Sequence, residues 1–278
     1  MRLTFKQPEE LLPGSVLILA PHMDDEVLAC GGTIAAIAHR RRVQVAFATD
    51  GSRSPLPPAP WFGRPSSELH EIRSREAIEA LGVLGVPQDN LHFLGLPDGR
   101  LARRREELAE AVARLLEELR PDHVLVPFRY DRHPDHLALN RVATAAVASR
   151  ERPRLLEYFV YYRWRLLPGG DVRRYVRPDR MVAVDISPHA DRKRRALASY
   201  ESQTTRFFEW QHRPNLTEAL IDEVCKGPEV FLIAQPGLPG AEVFNRARLW
   251  IRLAHRLEPT IKGGKDWLVA VLRQGLRP

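Results

Sequence analysis

The feature that most restricts this chain's fold is an exchange, over its first half, between short apolar runs and amphipathic stretches. Val16-Leu17-Ile18-Leu19-Ala20 reads as a buried strand, followed by a helical stretch over 29–39. A second strand over 43–48 ends at Thr49-Asp50-Gly51, and a Pro-, Ser- and Gly-rich loop covers 52–66. The pattern continues as helix 68–84, strand 91–94, helix 106–119, strand 122–127 and helix 134–147. Strands this apolar are covered on both faces, so the alternation predicts an α/β fold with a mostly parallel sheet and helices on both faces. Further strands are expected at 155–165, 180–185 and 230–234, and a helix over 188–202.

Regularity fades from about residue 204, with no internal repeat or low-complexity linker, so the reading is one domain over 1–278. Length, 44% hydrophobic and 28% charged residues are ordinary globular values. Cys30 and Cys225 are the two cysteines, far apart and in no zinc or redox spacing, which suits a reducing, cytoplasmic setting. The first twenty residues lack a signal-peptide pattern, and no run approaches the ~20 apolar residues of a membrane span. A soluble protein is expected.

The net charge of +7 comes mostly from arginine. Arg40 to Arg42 and Arg103 to Arg105 read as solvated helix ends, and no aromatic residues interleave with them as a base-stacking surface requires. Nucleic-acid binding is therefore not expected. The basic, amphipathic stretch 247–276 has two readings, packing on the core or peripheral contact with an anionic membrane. Packing is favoured, because amphipathic helices commonly do that.

Two clusters carry metal-type chemistry, each just beyond a predicted strand: Pro21-His22-Met23-Asp24-Asp25-Glu26 and Arg132-His133-Pro134-Asp135-His136. Ligands of doubly wound sheets collect at the carboxyl ends of strands, which places both clusters at one crevice. Imidazoles and a carboxylate suit zinc, and a nearby carboxylate can take a proton from a water whose pKa the metal lowers. His22 and Asp25 can converge if a helix starts at Asp24, and His136 in the first turn of its helix supplies a third ligand. Asp24 is then left as the base, His133 as the polar group aimed at a carbonyl, and Asp135 as a carboxylate that orients an imidazole. Taken singly, each cluster also has a plain reading: capping acids in Asp24-Asp25, and an ordinary helix start in His133-Pro134.

The segment LILAPHMDDEVLACGG resembles the signature of the LmbE/PIG-L-like deacetylases, and RHPDH resembles their second signature. Arg73-Ser74-Arg75-Glu76 resembles the family's R-x-x-E helix, Leu96-Pro97-Asp98-Gly99 its LPDG loop, and Lys193, Tyr200, Ser202 and Gln203 its K…SQ segment. Ala241-Glu242-Val243-Phe244 resembles a late A-E-x-F stretch more weakly; the secure likeness spans about 14–203. The resemblance implies a Rossmann-like fold, one zinc ion and hydrolysis of N-acetyl groups on amino sugars of the N-acetylglucosamine type. It implies His22, Asp25 and His136 as zinc ligands, Asp24 as general base and His133 as the group that stabilises the oxyanion. Arg73, Asp98 and Gln203 would contact the sugar. Met23 departs from the family's usual proline without removing a functional group.

Gly31-Gly32 has no accompanying phosphate-loop pattern and reads as close helix packing. Cys30 reads as a small buried residue, His92 and His123 as structural, and Trp61-Phe62 as a lid, a sugar platform or plain packing. The alternative function is a metal-dependent amidase acting on a non-sugar amide. An inactive carbohydrate-binding relative is disfavoured by the intact Asp24, Asp25, His133 and His136.

Overall fold

The computed structural model describes residues 3–55, 67–148, 150–163, 166–209 and 211–234, and positions 250, 251, 253, 254 and 257. Their elements run β1 (Thr4–Phe5), α1 (Pro8–Leu11), β2 (Val16–Ala20), α2 (Asp25–Ile37), β3 (Val43–Thr49), α3 (Ser67–Leu84), β4 (Leu91–Leu96), α4 (Arg105–Leu119), β5 (His123–Pro127) and α5 (Pro134–Val147). Beyond them come β6 (Arg154–Tyr158), β7 (Met181–Val184), α6 (Ala190–Ala198), α7 (Glu201–Thr204), α8 (Glu218–Lys226) and β8 (Glu229–Ile233). The strands form one eight-stranded sheet in the order β1-β7-β8-β6-β5-β2-β3-β4. All neighbours pair in parallel except β8, which is antiparallel to both β6 and β7.

The order reverses at β2. From it the chain winds outward through β3 and β4, then returns to lay β5 and β6 on its other side. That reversal opens a crevice at the carboxyl ends of β2 and β5, the place where doubly wound sheets bind ligands. Two apolar clusters enclose the strands. One, around Ile18, Ile34, Phe47 and Leu81, packs α2 and α3 on one face, and the other, around Leu19, Leu116, Val126 and Leu139, packs α4 and α5 on the opposite face.

Two glycines are dictated by close approach. Gly14, at φ +96°, precedes β2, and a Cβ there would stand 2.2 Å from Asp122 Oδ2, which accepts the Ser15 N–H at 2.8 Å. This contact ties the beginnings of β2 and β5 together. In α2, a Cβ on Gly32 would stand 2.5 Å from Ile186. The glycine pair is thus a packing device, and it lets Glu229 accept the N–H groups of Gly32 and Thr33, both at 2.8 Å. Glu229 also accepts from buried Lys193 at 2.8 Å.

The structure departs from the sequence reading in several elements. The helix expected from residue 29 begins at Asp25, the strand expected to reach 165 leaves the sheet after Tyr158, and the helix expected over 188–202 divides into α6 and α7. Helix α8, whose Thr217 side chain caps Leu220 N–H, was not anticipated, and neither was the two-residue β1. The late strand β8 is inserted between β6 and β7, which makes the sheet mixed at that side. Ile251 and Ala254 are buried beside Val172 and Leu232, whereas Trp250, Leu253 and Leu257 are exposed. Trp61-Phe62, Ala241–Phe244 and most of 247–276 lie outside the described residues. No helix among the described residues is long and apolar enough to cross a membrane.

Candidate active site

The loop after β2 makes a sharp turn before α2. Its pivot is Asp24, at φ 143° and ψ −29°, a region that costs a non-glycine residue of order 1–3 kcal/mol. The side chain of Asp24 makes no capping hydrogen bond to its helix. It lines a cleft of about 230 Å³ together with His22, Arg53, Ser54, Arg73, Asp98, Gly99, His133 and Tyr161. The plain capping reading of Asp24 is thereby set aside.

His22 and Asp25 converge as the start of α2 allows: Asp25 Oδ2 accepts the His22 N–H at 3.1 Å and meets its Nδ1 at 3.1 Å. The same oxygen lies 3.2 Å from His136 Nε2. His22 Nε2 faces Asp98 and Asp135, each at 3.3 Å. Asp135 is fixed in turn by the N–H groups of Gly99 at 2.7 Å and Leu101 at 3.0 Å, so it links α5 to the loop after β4. The ring nitrogens of His22, His133 and His136 form one set within 4.8 Å, and ligand atoms of His22, Asp98 and Asp135 form another.

This donor set fits a divalent transition metal. Imidazoles and carboxylates converge in a buried pocket, which is the chemistry zinc sites use. His136 is fully buried, and although its ring nitrogens lie 3.2 Å from Asp25 and 3.3 Å from Asp131, neither contact has hydrogen-bond geometry. Buried polar atoms are rarely left so. The charges agree. Burial opposes ionisation of Asp25, Asp98, Asp131 and Asp135, yet the neighbouring imidazoles hold all four below the usual carboxylate range, Asp98 at about 2. Burial likewise disfavours a charged His136, but Asp25 and Asp131 outweigh it and raise the group to about 9. The pocket is built to hold positive charge.

Asp24 behaves differently from its neighbours. Burial pushes it up to about 7, against the opposing pull of Arg73, whose Nη2 lies 3.5 Å from Asp24 Oδ1. A carboxyl poised near neutrality suits proton transfer in both directions. Across the cleft, His133 caps α5 by accepting the Asp135 N–H on Nδ1 at 3.2 Å. The proton of the neutral ring is therefore on Nε2. Burial and the charges of His22 and His136 lower this imidazole to about 4, so it stays neutral, as a helix N-terminus also favours.

Arg73, expected to meet sugar hydroxyls, is fully buried in the cleft wall, and its guanidinium donates to Met23 O at 2.5 Å and Gly51 O at 3.4 Å. Asp98 lines the cleft and accepts the Arg53 N–H at 3.1 Å. Gln203 lies behind the lining. Its amide donates to Ser54 O at 2.9 Å and Ser202 Oγ at 3.0 Å, and its oxygen accepts from Asn215 at 2.9 Å. Glu76 accepts the Ser202 N–H and hydroxyl at 2.6 and 2.7 Å, which ties the R-x-x-E helix to the SQ segment.

Asp131, Glu26 and Tyr161 drew no role from the sequence. Asp131 precedes His133 by two positions and accepts the N–H groups of His133 at 3.1 Å and Tyr161 at 3.3 Å. It, rather than Asp135, faces Nδ1 of His136. Its only sequence signal is a further acid inside an already dense His/Asp segment.

Residues 17–147 match the family described as PIG-L, GlcNAc-PI de-N-acetylase. A 1D-myo-inositol 2-acetamido-2-deoxy-alpha-D-glucopyranoside deacetylase of Saccharomonospora viridis is 32% identical over 271 residues, covering 84% of this chain and 95% of its own length. One from Rhodococcus jostii is 27% identical over 239 residues, covering 68% of this chain and 82% of its own. Among solved structures, the N,N'-diacetylchitobiose deacetylase of Pyrococcus horikoshii shares the fold, with a TM-score of 0.60 at 22% identity over 84% of this chain and 90% of that one. With the two motif clusters meeting at one crevice and a relative matched almost end to end, the chain belongs to the PIG-L family of de-N-acetylases.

Proposed function

We propose that this chain is a single-domain, zinc-dependent hydrolase that removes the acetyl group from an N-acetylglucosamine-type conjugate. The observation that carries this reading is the placement of Asp24: a strained, buried carboxyl turned into the cleft, with the Nε2–H of His133 lining the same cleft. The relatives' deacetylation of acetamido sugars supports the choice of substrate.

His22, Asp25 and His136 would hold the metal. When bound, it supplies Lewis acidity toward the amide carbonyl and lowers the pKa of a water. Asp24 takes the proton of the attacking water as the C–O bond forms. His133 donates its Nε2–H to the carbonyl oxygen as negative charge develops there, the kind of stabilisation that contributes most to acyl transfer. Asp24 then returns its proton to the nitrogen as the C–N bond breaks, releasing acetate and the free amine. Asp98, Arg53 and Ser54 offer polar contacts to a hydroxylated ring. The buried free cysteines, Cys30 and Cys225, suit a reducing compartment such as the cytoplasm.

One observation favours the amidase alternative: Arg73 is engaged with Met23 and Gly51, which leaves it fewer donors for a sugar. The deciding experiment is an amine-release assay on N-acetylated glucosamine conjugates, with protein stripped by chelator and then reloaded with zinc. Release that requires the metal upholds the proposal. No release from any acetamido sugar by reloaded protein overturns it.

A further inference from the structure

The peptide unit joining Met23 to Asp24 is gripped at both ends by buried ionisable side chains. Its carbonyl accepts from Arg73 Nη2 at 2.5 Å, and its N–H donates to Glu26 Oε2 at 3.1 Å. The other oxygen of Glu26 accepts the hydroxyl of Tyr200, and Tyr200, Glu26 and Arg73 are all about fully buried. Such a peptide has little freedom to rotate. Its orientation sets φ of Asp24, which stands at 143°.

A left-handed aspartate relaxes to an ordinary backbone conformation unless its surroundings over-determine it. Relaxation would swing the carboxylate toward the helix N-terminus, where aspartate is a natural cap. We propose that Glu26 and Arg73 are positioning residues: they clamp the Met23–Asp24 peptide from its two ends and so keep the Asp24 carboxylate facing the cleft instead of capping α2. Tyr200 orients Glu26, which gives the K…SQ segment a structural tie to the base. The inference rests on Asp24 being the general base. Neither Glu26 nor Tyr200 is among the residues lining the cleft, so any effect they have on turnover is indirect.

The test uses the zinc-loaded full chain with Glu26→Leu, Glu26→Gln and Tyr200→Phe, each also combined with Asp24→Asn. Leucine removes the acceptor for the Asp24 N–H, whereas glutamine keeps one and can still donate to the Tyr200 oxygen. Glu26→Leu is expected to retain its metal and its KM while kcat falls about 10- to 100-fold, the scale of a misplaced catalytic group. Glu26→Gln should recover most of that loss. On the Asp24→Asn background Glu26→Leu should cause no further fall, because a residue acting through Asp24 has nothing left to position. If Glu26→Leu fails to fold, Tyr200→Phe, which removes only a hydroxyl, must show a fall in kcat that disappears on the Asp24→Asn background. An undiminished kcat, loss of the metal, or an equal fall on both backgrounds overturns the clamp. Full activity of Asp24→Asn alone overturns the reading of the base, a separate result.

Discussion

Asp131 stands 3.3 Å from Nδ1 of His136, on the side of the ring away from the Nε2 that faces Asp25. A carboxylate behind a ligating imidazole fixes its orientation and raises its basicity. Asp131 also accepts the backbone N–H groups of His133 and Tyr161, so one side chain lies against both histidines of the second motif. Asp131→Asn should therefore weaken metal affinity by about 10- to 100-fold, measured by competition with a chromophoric chelator. An unchanged dissociation constant would show that the contact does not support the metal.

Asp24 and Asp25 are adjacent but sit in different surroundings. Asp25 lies between His22 and His136, whereas Asp24 lies against Arg73 in the cleft. Asp24→Asn should keep about one metal ion per chain and lower kcat by at least ~10²-fold, the usual scale for removing a general base. Metal analysis of this variant is the check, and loss of the ion would mean that the two roles are exchanged.

Substrate selection depends on the cleft's polar lining. A ring whose hydroxyls satisfy Asp98, Arg53 and Ser54 should be turned over far better than an acetamide without a ring, because unmatched buried polar groups penalise the simpler substrate. Asp98→Ala should act chiefly on kcat/KM for the sugar. Arg73→Ala should instead act on kcat, since its guanidinium holds the Met23 carbonyl. Equal kcat/KM for an N-acetylglucosamine conjugate and a ring-less acetamide would favour the amidase.

Stability has its own test in the Lys193–Glu229 pair, which joins α6 and β8 to the glycine pair of α2. Removing one partner of a buried pair leaves the other's charge uncompensated, at a cost of about 3–5 kcal/mol. Lys193→Met should show that loss in urea unfolding. Gly32→Ala should cost about 1–3 kcal/mol by overpacking against Ile186. A loss under ~1 kcal/mol for Lys193→Met would mean that the surroundings relax around Glu229.

Much of the framework was legible in the chain itself. Val16 to Ala20 and 134–147 form the elements that their apolar pattern and the His133-Pro134 start announce, because those signals are local. The parallel pairing of the central strands follows from near-continuous apolar runs, Val16 to Ala20 in β2 and Val124 to Pro127 in β5. What stayed hidden depends on distant partners. The register between β2 and β5 is pinned by Asp122 against Ser15, and no local pattern reveals that β8 inserts between β6 and β7.

The same division runs through the site. Motif spacing and the strand-end position of both clusters singled out His22, Asp24, Asp25, His133 and His136, since residues three apart at a helix start share one face and doubly wound sheets gather ligands at strand ends. Which groups face the cleft and which stand behind it was decided only in three dimensions. Arg73 turns inward because buried carbonyls need donors, and Gln203 is consumed by Ser54 and Asn215. His133 carries its proton on Nε2 because a backbone N–H claims Nδ1. A sequence specifies which polar groups exist; how each buried one is satisfied is settled by the neighbours that the fold brings to it.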